Sequence, residues 1–163
     1  MQKITPCLWS DGQAQAMAEF YTSIFPNSRI VRTDYYSEGA TDPDGRFSAG
    51  DVLTVTLEIE GQAFMVLNGG PQFKFNEAIS LMVDCADQAE IDTLWAKLTA
   101  DGGEEGPCGW LKDKFGVSWQ IVSDGFDRML QDPDSTKVKR VWQAMMQMQK
   151  IDLATLQAAY DGN

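Results

Sequence analysis

The chain has 163 residues, of which 44% are hydrophobic, and it contains no histidine. That length suits one domain or two small modules that share a core. The formal net charge of −11 is spread along the chain. It argues against nucleic acid and against an anionic membrane surface as partners, because both need a basic face.

The compartment is predicted from hydrophobic runs and cysteines. No stretch is long and apolar enough for a transmembrane helix, and residues 1–6 lack the apolar region of a signal peptide. The three cysteines, Cys7, Cys85 and Cys108, are widely spaced and form no CxxC pair. We therefore expect free thiols in a reducing cytoplasm.

Residues 1–71 form the first predicted module. A short strand at residues 4–9 is followed by Ser10 or Asp11 as the expected helix cap. Apolar residues at i, i+3, i+4 and i+7 then predict a helix: Met17, Phe20, Tyr21 and Ile24. Strands are predicted at residues 29–35, 52–59 and 63–67. The polar loop at residues 37–50 has a length typical of a lid or an interaction segment.

Residues 72–124 form a second module with the same order of elements. A strand at residues 78–83 precedes Asp87 and Glu90, which predict a helix start resembling a capping box. The helical stripe is Ile91, Leu94, Trp95 and Leu98, which matches the first stripe at a constant offset of 74 residues. Short strands follow at residues 104–105, 110–112 and 117–122. The repeat predicts an internal duplication of a βαβββ unit.

Residues 125–163 form a helical tail outside the repeat. One apolar stripe contains Val138, Val141, Trp142 and Met145, and another contains Leu153, Leu156 and Tyr160. Such faces must bury against another surface. The parent domain and a second subunit both remain candidates.

The segment DKFGVSWQI at residues 113–121, with this order of elements, resembles the vicinal oxygen chelate superfamily. That superfamily includes glyoxalase I, extradiol dioxygenases, and fosfomycin and bleomycin resistance proteins. The opening Ile4-Thr5-Pro6, residues 109–116 and the tail segment 144–152 are similar to its PhnB-like branch, which is often labelled 3-demethylubiquinone-9 3-methyltransferase. The resemblance implies an α+β fold: two βαβββ modules forming a half-open mixed β-barrel, with a C-terminal helical extension. It also implies a homodimer.

Metal-dependent members of the superfamily hold an ion with four His, Glu or Gln side chains on the first and last strands of the modules. In those members the side chains face into the half-open barrel, and the matching positions here fall on Pro6, near Val66, on Ala78 and on Gln120. Only Gln120 carries a donor, and one neutral amide oxygen does not hold a catalytic divalent ion. We therefore expect neither a metal nor another cofactor.

Four side chains are candidates for ligand binding: Gln120, Trp110, Ser118 and Lys112. Gln120 and Ser118 are two residues apart on a predicted strand and so share one face. A glutamine in an apolar concavity needs a ligand or a structural hydrogen bond, and both interpretations stay open. Trp110 lies in a glycine-rich stretch, where it could form an aromatic wall.

Neighbouring residues have simpler predicted roles. Lys112 could anchor an anion or transfer protons, but Asp113 and Gly116 beside it predict a turn. Trp95 and Trp119 are expected in the core. The adjacent Glu104 and Glu105 should point to opposite faces of a strand, and so should not act together on one substrate.

The sequence favours a metal-free, PhnB-like, small-molecule-binding protein that forms a homodimer. One alternative is an enzyme of unknown reaction that uses Lys112, Asp113, Gln120 or Tyr35. That alternative includes the methyltransferase label, although the first strand lacks the glycine-rich turn of common S-adenosylmethionine enzymes. The other alternative is a dimerising interaction protein without a ligand.

Overall fold

The computed structural model describes residues 3–40 and 44–163. These residues contain eight strands and five α-helices. The strands are β1 (Cys7–Ser10), β2 (Ser28–Tyr35), β3 (Val52–Ile59), β4 (Gln62–Asn68), β5 (Leu81–Cys85), β6 (Glu104–Glu105), β7 (Trp110–Lys112) and β8 (Ser118–Ser123). The helices are α1 (Ala14–Ile24), α2 (Gln88–Thr99), α3 (Asp124–Leu130), α4 (Ser135–Met145) and α5 (Leu153–Asp161). None of these helices is long and apolar enough to span a membrane.

Two compact units divide the chain, the first ending at Phe75 and the second beginning at Asn76. The first contains one sheet in the order β1-β4-β3-β2, and the second contains one sheet in the order β5-β8-β7-β6. The parallel pairs are β1 with β4 in the first sheet and β5 with β8 in the second, so each module's first strand pairs with its last. The remaining pairs are antiparallel. The predicted α+β class and the repeated βαβββ module are therefore confirmed.

A helix covers one face of each sheet, as the two sequence periods require. In the first unit, Met17 and Tyr21 of α1 are buried together with Val55 and Leu57 of β3. In the second unit the stripe of α2 is buried, and so are Trp119 and Ile121 of β8. The predicted core positions of Trp95 and Trp119 are confirmed, at 4% and 2% exposure.

Two strands begin later than the sequence predicted. The first starts at Cys7, and Ile4 is 84% exposed. The strand predicted from Ala78 starts at Leu81, because the Asn76 side chain accepts a hydrogen bond from the Ala78 amide (2.9 Å) and forms a turn there. An apolar run does not reveal such a local turn.

The predicted cap of α1 was wrong. The helix begins at Ala14, and its first amide donates to the side chain of Asn68 at the end of β4 (2.9 Å). Ser10 accepts a weaker bond from the Gln13 amide (3.2 Å). A cap supplied from 54 residues away leaves no local sequence signal. The capping residues of α2 were predicted correctly, since Asp87 accepts from the Glu90 amide.

The tail folds as part of the second unit. Of its three helices, α4 and α5 follow the predicted stripes, and Val141, Met145 and Leu156 are buried. The first tail helix, α3, was not predicted; it begins where Ser123 accepts a bond from the Phe126 amide. The buried stripes thus pack within this chain, whereas Trp142 remains 51% exposed.

The turn between β7 and β8 is held by Asp113, which is 2% exposed. Its carboxylate accepts hydrogen bonds from the amides of Phe115 (2.9 Å) and Val117 (3.1 Å) and from the indole of Trp119 (2.9 Å). The Gly116 amide donates to the Asp113 carbonyl (2.8 Å), which confirms the predicted turn. A buried carboxylate with three donors is a structural group.

Replacing Asp113 by Ala should lower the free energy of unfolding by about 3 kcal/mol or more, because it leaves three buried donors without an acceptor. Chemical denaturation measures the change. The control is Asp84→Ala, since Asp84 is exposed and should cost no more than about 0.5 kcal/mol. Equal losses for the two variants would contradict the role given to Asp113.

Candidate functional site

The second unit contains a cleft of about 200 Å³ at the β6–β7 edge of its sheet. Three of the four predicted ligand-binding residues, Trp110, Lys112 and Ser118, line this cleft. Its remaining polar lining consists of carboxylates, at Glu77, Glu104 and Glu105. The cleft therefore combines one cation, three anions, a hydroxyl and an aromatic ring.

Strand register brings the main groups together. Glu104 is paired with Lys112, and Lys112 is paired with Ser118, so the three form one row across β6, β7 and β8. Directly paired residues project to the same face of a sheet. Trp110 lies two residues along β7 on that face, opposite Gln120 in the next row. The site is thus built on strands, with Asp113 fixing the turn between two of them.

Ser118 carries the most informative polar atom of the cleft. The residue is 2% exposed. Among the described residues, its hydroxyl is the one buried side-chain polar group without a hydrogen-bond partner. Buried polar groups are almost always satisfied, because leaving one unpaired costs about 1–3 kcal/mol. The unpaired hydroxyl is therefore an exception among the buried polar groups of the described residues.

An ion pair joins Lys112 to Glu77 across the cleft lining. The hydrogen bond to Glu77, followed by its negative charge, raises the pKa of Lys112 above its ordinary value of 10.5. The same hydrogen bond holds the pKa of Glu77 below its ordinary 4.5, with a smaller effect of a bond from its own backbone. Both groups are therefore fully charged near neutral pH.

The two other carboxylates have different environments. Glu105 accepts a hydrogen bond from the Trp95 indole of α2 (2.8 Å), which ties β6 to the helix that covers the sheet. The side chain of Glu104 makes no hydrogen bond or ion pair with another described residue, although its charge acts on Lys112. The two side chains thus have different partners, but both residues line the cleft, contrary to the expectation that they would not meet one ligand.

Gln120 does not line the cleft. Its amide donates to the Ser80 hydroxyl (2.8 Å), which joins β8 to the segment before β5. The structure thus gives Gln120 the structural hydrogen bond that the sequence left as one of two interpretations. Contact between Gln120 and a ligand stays a prediction.

The residues at the matched metal positions do not fit a divalent ion. Val66 is fully buried on the face that α1 covers, so its placement on the open face was wrong; Met65 and Leu67 occupy that face instead. Pro6 and Ala78 have no donor atom in their side chains. No group of three His, Cys, Asp or Glu side chains able to hold a metal occurs in the described part of the chain.

The tail supports one wall of the cleft. The amides of Cys108 and Gly109 donate to the carbonyls of Met148 (2.9 Å) and Gln149 (2.7 Å). Gly109 has φ +82°, and a Cβ there would lie 2.9 Å from the Ile121 carbonyl oxygen, so only glycine fits this crossing. The loop that precedes Trp110 is thereby held between β8 and the tail.

Sequence reasoning missed the tail contacts and the polar centre of the first unit. Gln88 donates to the Ile151 carbonyl (3.0 Å) and accepts from the Leu153 amide (2.8 Å), which ties the tail to α2. In the first unit, buried Asn68 accepts from Ser10 (2.7 Å) and donates to the Val52 carbonyl (2.9 Å).

The first unit also has a cavity of about 380 Å³, lined by Arg46, Phe47 and Asn68 among others. Arg46 pairs with Asp11 (2.6 Å), and Phe47 stacks on Tyr36. Its polar groups are thus already bonded within the protein, unlike Ser118. Residues 41–43 of the predicted lid loop lie outside the described residues.

The Lys112–Glu77 pair gives a titration prediction. The raised pKa of Lys112 means that the ion pair stabilises the folded protein fully below pH 10.5. This stabilisation is lost as the pH rises through the higher pKa of Lys112 in the folded protein. At the acid end, the stabilisation is lost only below pH 4.5, as the pH falls through the lowered pKa of Glu77. Replacing Glu77 by Gln should therefore return the Lys112 pKa toward 10.5. NMR titration of the lysine side chains measures this shift, and an unchanged Lys112 curve would contradict the pairing.

Comparisons with known proteins agree on family and fold. The family model described as 3-demethylubiquinone-9 3-methyltransferase matches residues 2–122. A solved structure from Bacillus cereus, described as a putative 3-demethylubiquinone-9 3-methyltransferase, PhnB protein, is 36% identical. That likeness covers 75% of this chain and 99% of the other, with a TM-score of 0.64. A search of proteins with curated descriptions gave no significant match.

More distant structures show the fold alone. A Pseudomonas aeruginosa protein is 17% identical, with a TM-score of 0.59 over 76% of this chain and 100% of the other. The fosfomycin resistance protein FosX from Listeria monocytogenes is 14% identical, with a TM-score of 0.52 over 80% and 98%. The predicted likeness to the glyoxalase/bleomycin resistance fold is thus confirmed. The family match ends before α3, so the tail lies beyond the matched region.

Proposed function

We propose that this chain, which belongs to the 3-demethylubiquinone-9 3-methyltransferase family, binds a small molecule without a metal in the cleft of its second unit. The observation that carries the proposal is the unpartnered, buried hydroxyl of Ser118. A ligand atom at hydrogen-bond distance would satisfy it. The hydroxyl itself has almost no exposed surface, so a ligand reaches it only when a lining side chain moves. Lys112 and Glu77, at 34% and 61% side-chain exposure, can move at low cost.

The protonation states support binding over acid–base catalysis. A general base must be deprotonated near neutral pH, and the raised pKa of Lys112 opposes that. A general acid must be protonated, and the lowered pKa of Glu77 opposes that. The carboxylate oxygens of Asp113 already accept three hydrogen bonds. The two remaining candidates of the enzyme hypothesis, Gln120 and Tyr35, are not among the residues that line the cleft.

The family description favours methyl transfer as a second candidate. Pockets for drug-sized ligands measure roughly 300–1,000 Å³, and this cleft measures about 200 Å³. Both sheets are mixed and four-stranded, unlike the doubly wound parallel sheet on which common S-adenosylmethionine enzymes hold their cofactor. These observations support a smaller ligand. Calorimetric titration with S-adenosylmethionine separates the two candidates, because saturable heat would favour methyl transfer.

A comparison of two buried serines tests the binding role. Ser118→Ala removes an unsatisfied hydroxyl, so it should leave the free energy of unfolding unchanged or raise it by up to about 1 kcal/mol. Ser123 is equally buried but caps α3, so Ser123→Ala should lower the free energy of unfolding by about 1 kcal/mol. Chemical denaturation measures both. A loss at Ser118 as large as that at Ser123 would show a structural serine and overturn the proposal.

We further propose that the protein is a cytoplasmic homodimer. Each unit leaves large apolar side chains exposed, including Val31 (54%) in the first and Ile79 (74%) and Met82 (59%) in the second. Burial of such side chains favours association. The cysteines are free thiols, as in a reducing compartment, and burial raises the pKa of Cys85 to about 12, which keeps it unreactive.

Light scattering of the full chain should give twice the mass of one chain. Met82→Lys would place a charge on the exposed sheet face and should shift the mass toward one chain. Glu38→Lys serves as the control, since Glu38 is an exposed residue of the polar loop. A monomer at all concentrations would contradict the dimer.

A further inference from the structure

The charges of the cleft identify a class of ligand, an inference that rests on the proposed function. We infer that the cleft takes a small organic cation, a primary amine attached to an apolar ring. Three carboxylates and one ammonium line the cleft, and Glu77 pairs with that ammonium. The remaining charge comes from Glu104 and Glu105, and it favours a positive ligand.

Glu104 is the carboxylate available to a ligand. Glu105 already accepts the Trp95 indole hydrogen, whereas the side chain of Glu104 forms no hydrogen bond or ion pair with any other residue that the structure describes. Strand pairing places Glu104 in the row that contains Ser118. An ammonium group has three donors, so it can donate to that carboxylate or to the serine oxygen.

The apolar part of the ligand follows from Trp110. This ring is half-buried in the cleft lining, two residues from Lys112 on the same strand face. Indole faces attract cations and also pack against flat apolar groups. Pro107 adds a second apolar surface beside it. The cleft volume of about 200 Å³ limits the ligand to a small ring.

An anion is disfavoured on the same grounds. A ligand carboxylate would have to displace Glu77 from Lys112 while lying close to two further negative charges. The whole chain adds a net charge of −11, which lowers the local concentration of anions near its surface. The Ser118 hydroxyl can donate as well as accept a hydrogen bond, so it does not by itself distinguish a cation from an anion. The carboxylates make that distinction.

Three probes of one size test the charge preference: benzylamine, benzyl alcohol and benzoate, titrated into the full chain at pH 7 and followed by amide NMR shifts. Benzylammonium should perturb the amides of Trp110, Lys112 and Ser118 and bind at least tenfold tighter than benzoate. Salt should weaken its binding, since screening reduces charge attraction. Glu104→Gln should weaken it about threefold to tenfold, whereas Glu19→Gln, an exposed change in the first unit, should leave it unchanged.

A second variant reverses the preference. Glu77→Gln releases the ammonium of Lys112, so it should strengthen benzoate binding and weaken benzylammonium binding. Benzoate or benzyl alcohol binding the unmodified cleft as tightly as benzylammonium would overturn the cation assignment and leave the binding function intact. Absence of all three from the cleft would also overturn the assignment. The premise of the binding function, an unpaired Ser118 hydroxyl, is tested separately by the stability comparison of Ser118 and Ser123.

Discussion

The buried carboxylate of Asp113 sets the geometry on which the cleft depends. It accepts two backbone amides of the following turn and the indole of Trp119, so β7 and β8 are joined in one register. That register places Lys112 opposite Ser118. A slip by one residue would turn every side chain of β8 to the other face, moving the Ser118 hydroxyl beneath α2 and Trp119 into the cleft. Three hydrogen bonds at one residue therefore decide which side chains a ligand can meet.

The polar side chains in and beside the cleft differ in the hydrogen bonds that they make within the protein. Asp113 and Gln120 have their polar atoms bonded inside the protein, and both act as structural groups. Lys112 and Glu77 neutralise each other at the surface, where an exposed pair contributes little to stability. The side chains of Ser118 and Glu104 make no hydrogen bond to another described residue. A buried hydroxyl without a hydrogen-bond partner costs the folded protein stability, and ligand binding offers a reason for that cost.

Sequence periodicity predicted most of the fold because its signals are local. Stripes such as Ile91 with Leu98 and the cap at Asp87 specify helices within a few residues. The same reasoning placed Trp110, Lys112 and Ser118 together, since alternation on strands and a resemblance to a known family sufficed. It failed where the partner is distant in sequence: Asn68 at the start of α1, and Gln88 on the tail. The match to the metal position near Val66 was also wrong, because an alignment error of one residue exchanges the two faces of a strand.

The repeated module explains why the cleft and the tail belong to the same unit. The last strands of the two modules, β4 and β8, end at equivalent positions, Asn68 beside Ser10 and Ser123 beside Cys85. Asn68 turns its side chain back to the amide that begins α1, and so closes the first module on itself. Ser123 instead accepts the amide that begins α3 and sends the chain into the tail. The tail then returns to Cys108 and Gly109 and supports the loop before Trp110. The polar residue at the end of the last strand thus differs between the modules: Asn68 bonds to α1 of its own module, whereas Ser123 caps the helix that leads into the tail.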